Sequence, residues 1–316
     1  MTRRDLLGRA AAAMGAAALG GCASGGATAG PEAQWPPLGG FLSVEGVRLH
    51  YVEEGSGPPL VLIHGANGNL RDFTFSLTGK LKDRFRVIAI DRPGHGYSER
   101  PVSGGSDPVV QARLVSAAAA QLGAERTLIA GHSYGGAVAA AWALERPDQV
   151  AGAAILAGAT YPWEGDGGLL YSLGSGPFGP LVSAAARLYV RGERAKGFVA
   201  DVFAPNPMPE GYAEYIGVEL ALRPDTFRWN AEDIDRLNGH LAGMAPRYGE
   251  LAMPVELLHG DADETVGLAI HSVPFAEAAQ NANLTVLPGV GHMPHHAREA
   301  VVLDALDRLA ASSGLA

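Results

Sequence analysis

A serine framed by two glycines is the first feature of the chain that could do chemistry. Gly131, Ser133 and Gly135 form a Gly-x-Ser-x-Gly pattern between the apolar run 127–130 and an alanine-rich, helix-prone segment. A strand that turns directly into a helix strains the middle residue and projects its side chain outward, and flanking glycines leave room for that turn. The next amide, that of Tyr134, would lie at a helix N-terminus and face a developing oxyanion. The pattern therefore predicts an exposed serine hydroxyl suited to acyl transfer.

Two later loops carry the acid and the base that such a serine needs. A serine hydroxyl is a weak nucleophile at neutral pH, so a base must lie within hydrogen-bond reach and a third group must orient that base. Asp261 and Asp263 follow the predicted strand 255–258, and His292 follows the predicted strand 284–287. Because sites in open parallel sheets form at the carboxyl ends of strands, we expect these loops to meet near the serine. Residue type and spacing do not choose between the two aspartates.

The predicted base is one of three histidines close together in the sequence. His292 comes directly after the glycine that follows the strand, whereas His295 and His296 are typical of the start of a helix. We therefore predict that His292 is the base. A metal site in this His-rich run is the alternative, but no carboxylate or cysteine accompanies it at ligand spacing. We predict neither a metal nor a cofactor.

The remaining chain predicts the elements that position these side chains. Segments 41–44 and 47–52 alternate apolar and polar residues around a Glu-Gly turn, which is typical of a hairpin. After it, apolar runs alternate with helix-prone stretches, which predicts right-handed crossovers in a mostly parallel sheet. The predicted strands are 60–63, 86–90, 127–130, 150–156, 255–258 and 284–287, and the predicted helices include 109–122, 269–279 and 298–310.

The alternation stops between residues 161 and 253. This segment is punctuated by Gly and Pro and holds more than half of the chain's aromatic residues. We interpret it as a helical cap inserted into the sheet, with helical patches at 181–189 and 211–222 and an apolar underside that faces a pocket. The alternative is that these aromatics form the cap's own core. The domain boundaries that follow are a core of residues 41–160 and 254–316 and a cap of residues 161–253.

These elements and five motifs together make the chain resemble the α/β-hydrolase fold family. The resemblance covers about residues 41–312 outside the cap and implies an α/β fold with a mostly parallel eight-stranded sheet flanked by helices. The motifs are His64-Gly65-Ala66-Asn67-Gly68, Asp91-Arg92-Pro93-Gly94-His95-Gly96-Tyr97-Ser98, the pentapeptide around Ser133, Gly260-Asp261-Ala262-Asp263-Glu264-Thr265-Val266, and Gly291-His292.

The resemblance also implies a role for the loop at 64–68. The amide of Ala66 would bind the oxyanion beside the amide of Tyr134, and His64 and Gly65 would support that loop. The alternative for His64 is a second base. The Gly-x-Gly at residues 94–96 is interpreted as a structural turn and not as a dinucleotide fingerprint, because the third glycine is missing.

By the same resemblance, the acid aligns with Asp263, with Asp261 as the alternative. Epoxide hydrolases and haloalkane dehalogenases of the family use an Asp nucleophile, and Ser133 argues against both. We therefore predict hydrolysis of a small-to-medium, largely apolar carboxylic ester or lactone through an acyl-serine. Alternatives are a carbon–carbon bond hydrolase acting on diketo acids, a cofactor-free perhydrolase or haloperoxidase, and a ligand-binding member without turnover.

The first residues are interpreted as an export signal. Paired arginines precede an Ala/Gly-rich run, which resembles a twin-arginine signal, and Leu19-Gly20-Gly21-Cys22 resembles the bacterial lipobox. The run spans only about 15 Å as a helix, too short for a bilayer core of roughly 30 Å. We expect residues 1–21 to be removed, Cys22 to carry a diacylglyceryl group, and residues 22–40 to form a flexible tether. Alternatives are an ordinary signal peptide with a chance cysteine, or a cytosolic protein with a disordered head.

Composition limits the remaining possibilities. The chain has 316 residues, 47% of them hydrophobic, which is enough for one large domain with an insertion. A net charge of −9 provides no basic face for nucleic acid. The expected partners are a small-molecule substrate and, through the lipid on Cys22, a membrane of the bacterial cell envelope. The sequence predicts no oligomeric state.

Overall fold

The computed structural model describes residues 30–165 and 167–315. The predicted export signal, Cys22 and the tether up to residue 29 lie outside the described residues. None of the described helices is long and apolar enough to cross a bilayer.

Eight strands form a single sheet with the order β1-β2-β4-β3-β5-β6-β7-β8. The strands β1 and β2 form an antiparallel hairpin, β2 pairs antiparallel with β4, and all remaining neighbours are parallel. The predicted mostly parallel, eight-stranded sheet is thus confirmed. The strands are Gly40–Val44 (β1), Val47–Glu54 (β2), Pro59–Ile63 (β3), Arg86–Ile90 (β4), Thr127–His132 (β5), Val150–Leu156 (β6), Val255–Gly260 (β7) and Ala282–Leu287 (β8).

Helices cover the sheet and build the segment between β6 and β7. The core helices are Pro31–Gln34 (α1), Arg71–Thr74 (α2), Leu77–Leu81 (α3), Pro108–Gln121 (α4), Tyr134–Glu145 (α5), Leu268–Ala278 (α12), Pro294–Ala297 (α13) and Glu299–Ser313 (α14). Between β6 and β7 lie Leu169–Ser175 (α6), Gly179–Tyr189 (α7), Glu193–Phe203 (α8), Tyr212–Ile216 (α9), Val218–Ala221 (α10) and Pro224–Met244 (α11). Short 3₁₀ turns occupy Pro147–Gln149 and Ala245–Glu250.

The central strands separate two apolar layers. Successive strand residues point to opposite faces, so Leu60 and Leu62 of β3 join one buried cluster while Val61 and Ile63 join the other. A strand buried on both faces must be apolar at every position, as the run 60–63 is. The two layers hold the parallel strands rigidly, with their carboxyl ends at one edge.

The inserted segment differs in detail from its sequence-based description. The patch predicted at 211–222 is two short helices, because Gly217 takes φ 63° between α9 and α10. The aromatic side chains divide among several surroundings. Phe203 and Tyr212 form a small cluster with Met293, Tyr248 belongs to the main core, and Phe178 is exposed.

Two helical glycines provide a test of the packing around the turn between β5 and α5. A Cβ on Gly135 in α5 would lie 2.1 Å from the carbonyl oxygen of Ile63, whereas a Cβ on Gly239 in α11 would meet nothing within 4 Å. We expect Gly135→Ala to lower the free energy of unfolding by about 1–3 kcal/mol or more. Gly239→Ala should raise it by about 0.5–1 kcal/mol, because alanine is the better helix former. Urea denaturation of both variants measures this; equal effects would contradict the close approach of α5 to β3.

Candidate active site

Ser133 occupies the turn between β5 and α5 in an unusual backbone conformation. Its φ of 54° and ψ of −119° are rare for a residue with a side chain. The amide of Ser133 donates to the carbonyl of Leu156 at 3.0 Å, and its own carbonyl accepts from Gly136 at 2.9 Å and from Ala159 at 3.1 Å. A Cβ on Gly131 would lie 2.1 Å from the carbonyl oxygen of Gly135, so the turn requires glycine there. The predicted sharp turn is therefore present and held from both sides.

A continuous hydrogen-bond chain runs from this serine to a carboxylate. His292 Nε2 lies 2.9 Å from Ser133 Oγ, and His292 Nδ1 lies 2.7 Å from Asp263 Oδ2. Since a carboxylate only accepts, Nδ1 carries the proton and donates to Asp263, which leaves the lone pair of Nε2 for the serine hydroxyl. All three side chains are at least nine-tenths buried. A neutral imidazole oriented in this way can accept the serine proton.

Asp263 is held by more donors than His292 alone. Its Oδ1 accepts from the amides of Thr265 at 2.8 Å and Val266 at 2.9 Å, and its Oδ2 lies 3.3 Å from His259 Nε2. Burial by itself would raise the pKa of Asp263, but His292, His259 and the Val266 amide together lower it below the usual range. The carboxylate is therefore ionised beside the imidazole. Sequence reasoning missed His259, whose role depends on the fold of the loop.

The neighbouring Asp261 makes a different contact. Its side chain is exposed, and its Oδ1 accepts from the amide of Gly289 at 2.7 Å. This bond joins the loop after β7 to the loop after β8, so Asp261 holds the two loops together. The structure brings Asp263, and not Asp261, to His292.

The loop after β3 passes directly over the serine. A Cβ on Gly65 would lie 3.0 Å from the Cβ of Ser133. His64 is fixed beneath this loop, because its Nε2 accepts from the amide of Arg92 at 2.9 Å and its Nδ1 donates to the carbonyl of Gly65 at 2.8 Å. Burial, and then the charge of Arg92, lowers the pKa of His64 to about 3. With both ring nitrogens engaged, His64 supports the loop and has no free lone pair for a second base.

The amides of Ala66 and Tyr134 belong to the two segments that meet at Ser133. Tyr134 is the first residue of α5, where a backbone N–H has no partner within the helix. Ala66 follows the Gly65 that contacts the serine. Asn67, next in the loop, takes φ 56° and exchanges two hydrogen bonds of 2.7 Å with Asn230 of α11. The inserted segment therefore fixes the conformation of this loop.

Arg92 lies behind the loop and was not identified from the sequence as part of the site. Its guanidinium donates to the carbonyls of His64 at 3.0 Å and Gly65 at 3.2 Å, and its centre lies 4.2 Å from the ring of Tyr134. It also donates to Asp233 of α11 at 3.0 Å. Arg92 is fully buried with its charge paired, so it links the loop, the serine turn and the inserted segment.

Asp233 gathers three further donors around Arg92. Arg100 donates to its Oδ1 at 2.6 Å, His95 to its Oδ2 at 2.9 Å, and Gln111 to its Oδ2 at 3.2 Å. Burial would raise the pKa of Asp233, but His95, Arg100 and Arg92 together lower it well below the usual range. Its sequence context, an aspartate within a polar helix, gave no signal of this role.

A second buried carboxylate corrects the reasoning on the His-rich run. Asp72 of α2 accepts from His295 at 3.1 Å, from His296 at 2.8 Å and from the hydroxyl of Tyr212 at 2.7 Å. Asp72 thus supplies a carboxylate to the His-rich run from a distant segment of the chain. The ligand atoms of Asp72, His295 and His296 lie within 4.8 Å of one another, so these three residues could hold a divalent metal ion. Hydrogen bonds from both histidines and the tyrosine already account for the geometry.

Asp72 also lies near the serine turn through His132. His132 Nε2 donates to the backbone carbonyl of His292 at 2.8 Å, and its Nδ1 lies 3.9 Å from Asp72. Burial would raise the pKa of Asp72, but His295 and His296 lower it far below its usual value. The ionised carboxylate of Asp72 therefore lies behind the loop that carries His292.

Comparison with known proteins agrees with this fold. A family model described as the alpha/beta hydrolase fold matches residues 58–298. The chain belongs to the α/β-hydrolase fold family. Haloalkane dehalogenase 2 of Mycobacterium bovis and Mycobacterium tuberculosis is 40% identical over 119 residues, which is 38% of this chain and 41% of the relative. The chain thus matches about two fifths of the length of these relatives.

Solved structures resemble the chain over most of its length. A bacterial membrane phospholipase A, described as a virulence factor, has a TM-score of 0.68 and 25% identity, covering 88% of both chains. An esterase, RhEst1 from Rhodococcus sp. ECU1013, has a TM-score of 0.68 and 24% identity, covering 87% of this chain and 98% of that one. The second likeness shows the shared fold alone.

The buried histidines make stability depend on pH. Burial, and then Arg92, lowers the pKa of His95 to about 4, whereas an unfolded histidine titrates near about 6.5. Below pH 6.5 the unfolded chain therefore binds protons that the folded chain does not, and the free energy of unfolding falls as the pH drops towards 4.

We expect His95→Gln, which keeps an amide donor, to weaken this pH dependence. Its loss of stability between pH 7 and pH 5 should be about 1–2 kcal/mol smaller than that of the unchanged chain. Urea denaturation at the two pH values measures the difference. The same pH dependence in both proteins would show that folding does not lower the pKa of His95.

Proposed function

We propose that the chain is a serine hydrolase that cleaves a small-to-medium, largely apolar carboxylic ester or lactone through an acyl-serine intermediate. The observation that carries the proposal is the continuous hydrogen-bond chain from Ser133 through His292 to Asp263. A hydroxyl, a neutral imidazole and an ionised carboxylate in this order are the groups that nucleophilic acyl transfer requires.

In the proposed reaction, Ser133 Oγ attacks the ester carbonyl carbon while His292 Nε2 takes the hydroxyl proton. Asp263 stabilises the imidazolium that forms. His292 then gives the proton to the departing alcohol oxygen as the carbon–oxygen bond breaks. Water attacks the acyl-serine, His292 takes a proton from that water, and Ser133 recovers its proton as the carboxylic acid leaves.

The oxyanion is proposed to form between the amides of Ala66 and Tyr134. Support comes from the closeness of the Gly65 backbone to Ser133 and from the position of Tyr134 at the start of α5. One donor of this kind is worth about 2.7–4 kcal/mol of transition-state stabilisation. Because Arg92 and His64 fix the loop from behind, the donors are held in place before the substrate arrives.

The serine nucleophile and one solved structure favour ester chemistry over dehalogenation. The dehalogenases of the family use an aspartate nucleophile, and this chain carries Ser133 at that position. A phospholipase A hydrolyses a carboxylic ester, so the likeness to the membrane phospholipase A favours the same bond type. The dehalogenase and the phospholipase A share only part of their sequence with this chain, so they do not define the acyl and alcohol groups of the substrate.

Replacement of the serine tests the proposal. We expect Ser133→Ala to lower ester turnover by about 10⁴–10⁶-fold, because the covalent step is lost. The measurement is a panel of nitrophenyl esters of graded chain length, with a lactone and a diketo acid added. A diketo acid cleaved faster than every ester would replace the proposal with carbon–carbon bond hydrolysis, and a fluorophosphonate that leaves Ser133 unlabelled would remove it.

The two aspartates of one loop form a matched control. Asp263→Asn should lower kcat by about 10⁴-fold, because an amide no longer stabilises the imidazolium. Asp261→Asn should keep kcat within about 3-fold, since the Asp261 carboxylate binds a loop amide and does not contact the imidazole. A large effect of Asp261→Asn on kcat, with the fold intact, would mean that the acid is misassigned.

We further propose that the chain is exported and attached to a membrane of the bacterial cell envelope through a lipid on Cys22. The support is the agreement of the paired arginines with the lipobox at the chain's single cysteine. Intact-mass analysis of the protein from its native membrane should show loss of residues 1–21 and an added diacylglyceryl group. A Cys22→Ser variant that is processed and retained in the same way would contradict this attachment.

A further inference from the structure

An exposed apolar face lies on two helices of the inserted segment. On α6, Leu169 is 61% and Leu173 is 40% exposed; Phe178, just before α7, is 62% exposed; and Leu181 and Leu188 on α7 are 71% and 69% exposed. We call these five residues the cap apolar face. Scattered single apolar residues are common on protein surfaces, but a contiguous group of large ones marks an interaction site.

Two of these residues lie on one side of α7. Leu181 and Leu188 are seven residues apart, which places them on the same side of a helix. Ser183 lies on the opposite side and is buried against the rest of the protein. The helix therefore packs on the protein through its Ser183 side and exposes its apolar outer side to solvent.

Exposed basic side chains lie on α7 and just beyond its end. Arg187, Arg191 and Arg194 are exposed and form no ion pair within the described part of the chain, whereas the nearby Glu193 is paired with Lys196 at 3.3 Å. Leucine and phenylalanine on one side of a helix, with arginines at its border, is the composition of helices that lie in a membrane interface. Anionic headgroups would pair with the arginines.

The N-terminal segment reaches the core beside the same helix. The indole of Trp35 donates to the carbonyl of Glu214 at 2.7 Å, and Glu32 pairs with Arg223 at 3.2 Å. A cavity of about 500 Å³ between this segment and α7 is lined by Pro31, Trp35, Arg187, Val190 and Arg191. Residues from Cys22 to Gly30 reach at most about 28 Å, so anything attached to Cys22 stays close to α7.

We propose that the cap apolar face docks on the surface of a phospholipid bilayer, with Arg187, Arg191 and Arg194 contacting anionic headgroups. This goes beyond the proposed ester hydrolysis and would hold without it. A diacylglyceryl group on Cys22 carries two acyl chains, enough for stable attachment, and would hold the cap apolar face close to the bilayer. Docking would place the inserted segment between the membrane and the sheet.

A fluorescent reporter at the face tests the docking. Cys22 is the only cysteine, so a Cys22→Ser background lets Leu188→Cys carry a single environment-sensitive dye. On vesicles of phosphatidylcholine and phosphatidylglycerol, we expect the emission to shift to the blue and to be quenched by brominated lipid. Val102→Cys is the matched control and should show neither change, because Val102 is a fully exposed apolar residue outside the inserted segment. Whichever segment brings the chain to the vesicle, only a face that enters the lipid gives this signal.

The arginines are tested in the same labelled chain. Arg187→Gln with Arg191→Gln should weaken partitioning to the anionic vesicles by about 25-fold, since each basic residue near such a surface contributes about 5-fold. Partitioning to pure phosphatidylcholine should not change. An unchanged emission at position 188 on vesicles would overturn the proposal. So would a blue shift that grows with protein concentration without vesicles, because a second copy of the chain would then cover the face.

Discussion

The backbone of Ser133 is the constraint on which the site depends. A residue with a side chain at φ 54° costs about 1–3 kcal/mol, and it persists only where its surroundings hold it. Here the surroundings are the packed centre of the sheet, because β5 lies between β3 and β6 and the amide of Ser133 bonds to the last residue of β6. Gly135 lets α5 approach the end of β3, from which the loop with Ala66 departs. The strained turn therefore sets the distance between the nucleophile and both proposed oxyanion donors.

Two buried carboxylates join the inserted segment to this turn. Asp233 of α11 receives Arg92, the same side chain that holds the carbonyls of the loop after β3. Asp72 receives Tyr212 of α9 together with the histidines that follow His292. Breaking one partner of a buried charge pair is costly, since it leaves an uncompensated charge in a medium of low dielectric constant. The position of the inserted segment and the geometry of the site are thus coupled through a few polar side chains.

Strands and the serine turn could be predicted from the sequence because their signals are local. Continuous apolar runs predicted the central strands. The strands in turn gave the order along the chain of the serine, the aspartate and the histidine that follow them. Helix α11 is not among the predicted helical patches, although its buried residues Phe227, Ala231, Leu237, Leu241 and Met244 recur at helical spacing. Asp72 and Asp233 could not be found in this way. Their partners lie far along the chain, and a polar contact of long sequence separation leaves no periodic trace.

The two sides of the inserted segment differ in physical character. The side that meets the sheet is joined to the core by polar and apolar contacts. Asn230 pairs with Asn67 and Asp233 with Arg92, while Leu237 and Leu241 enter the main apolar cluster. The opposite side carries Leu181 and Leu188, each more than two thirds exposed to solvent. Leu181 and Leu188 belong to none of the apolar clusters found among the described residues. An exposed apolar surface favours association, and the proposed bilayer would cover it at the place where the proposed lipid on Cys22 would anchor the chain.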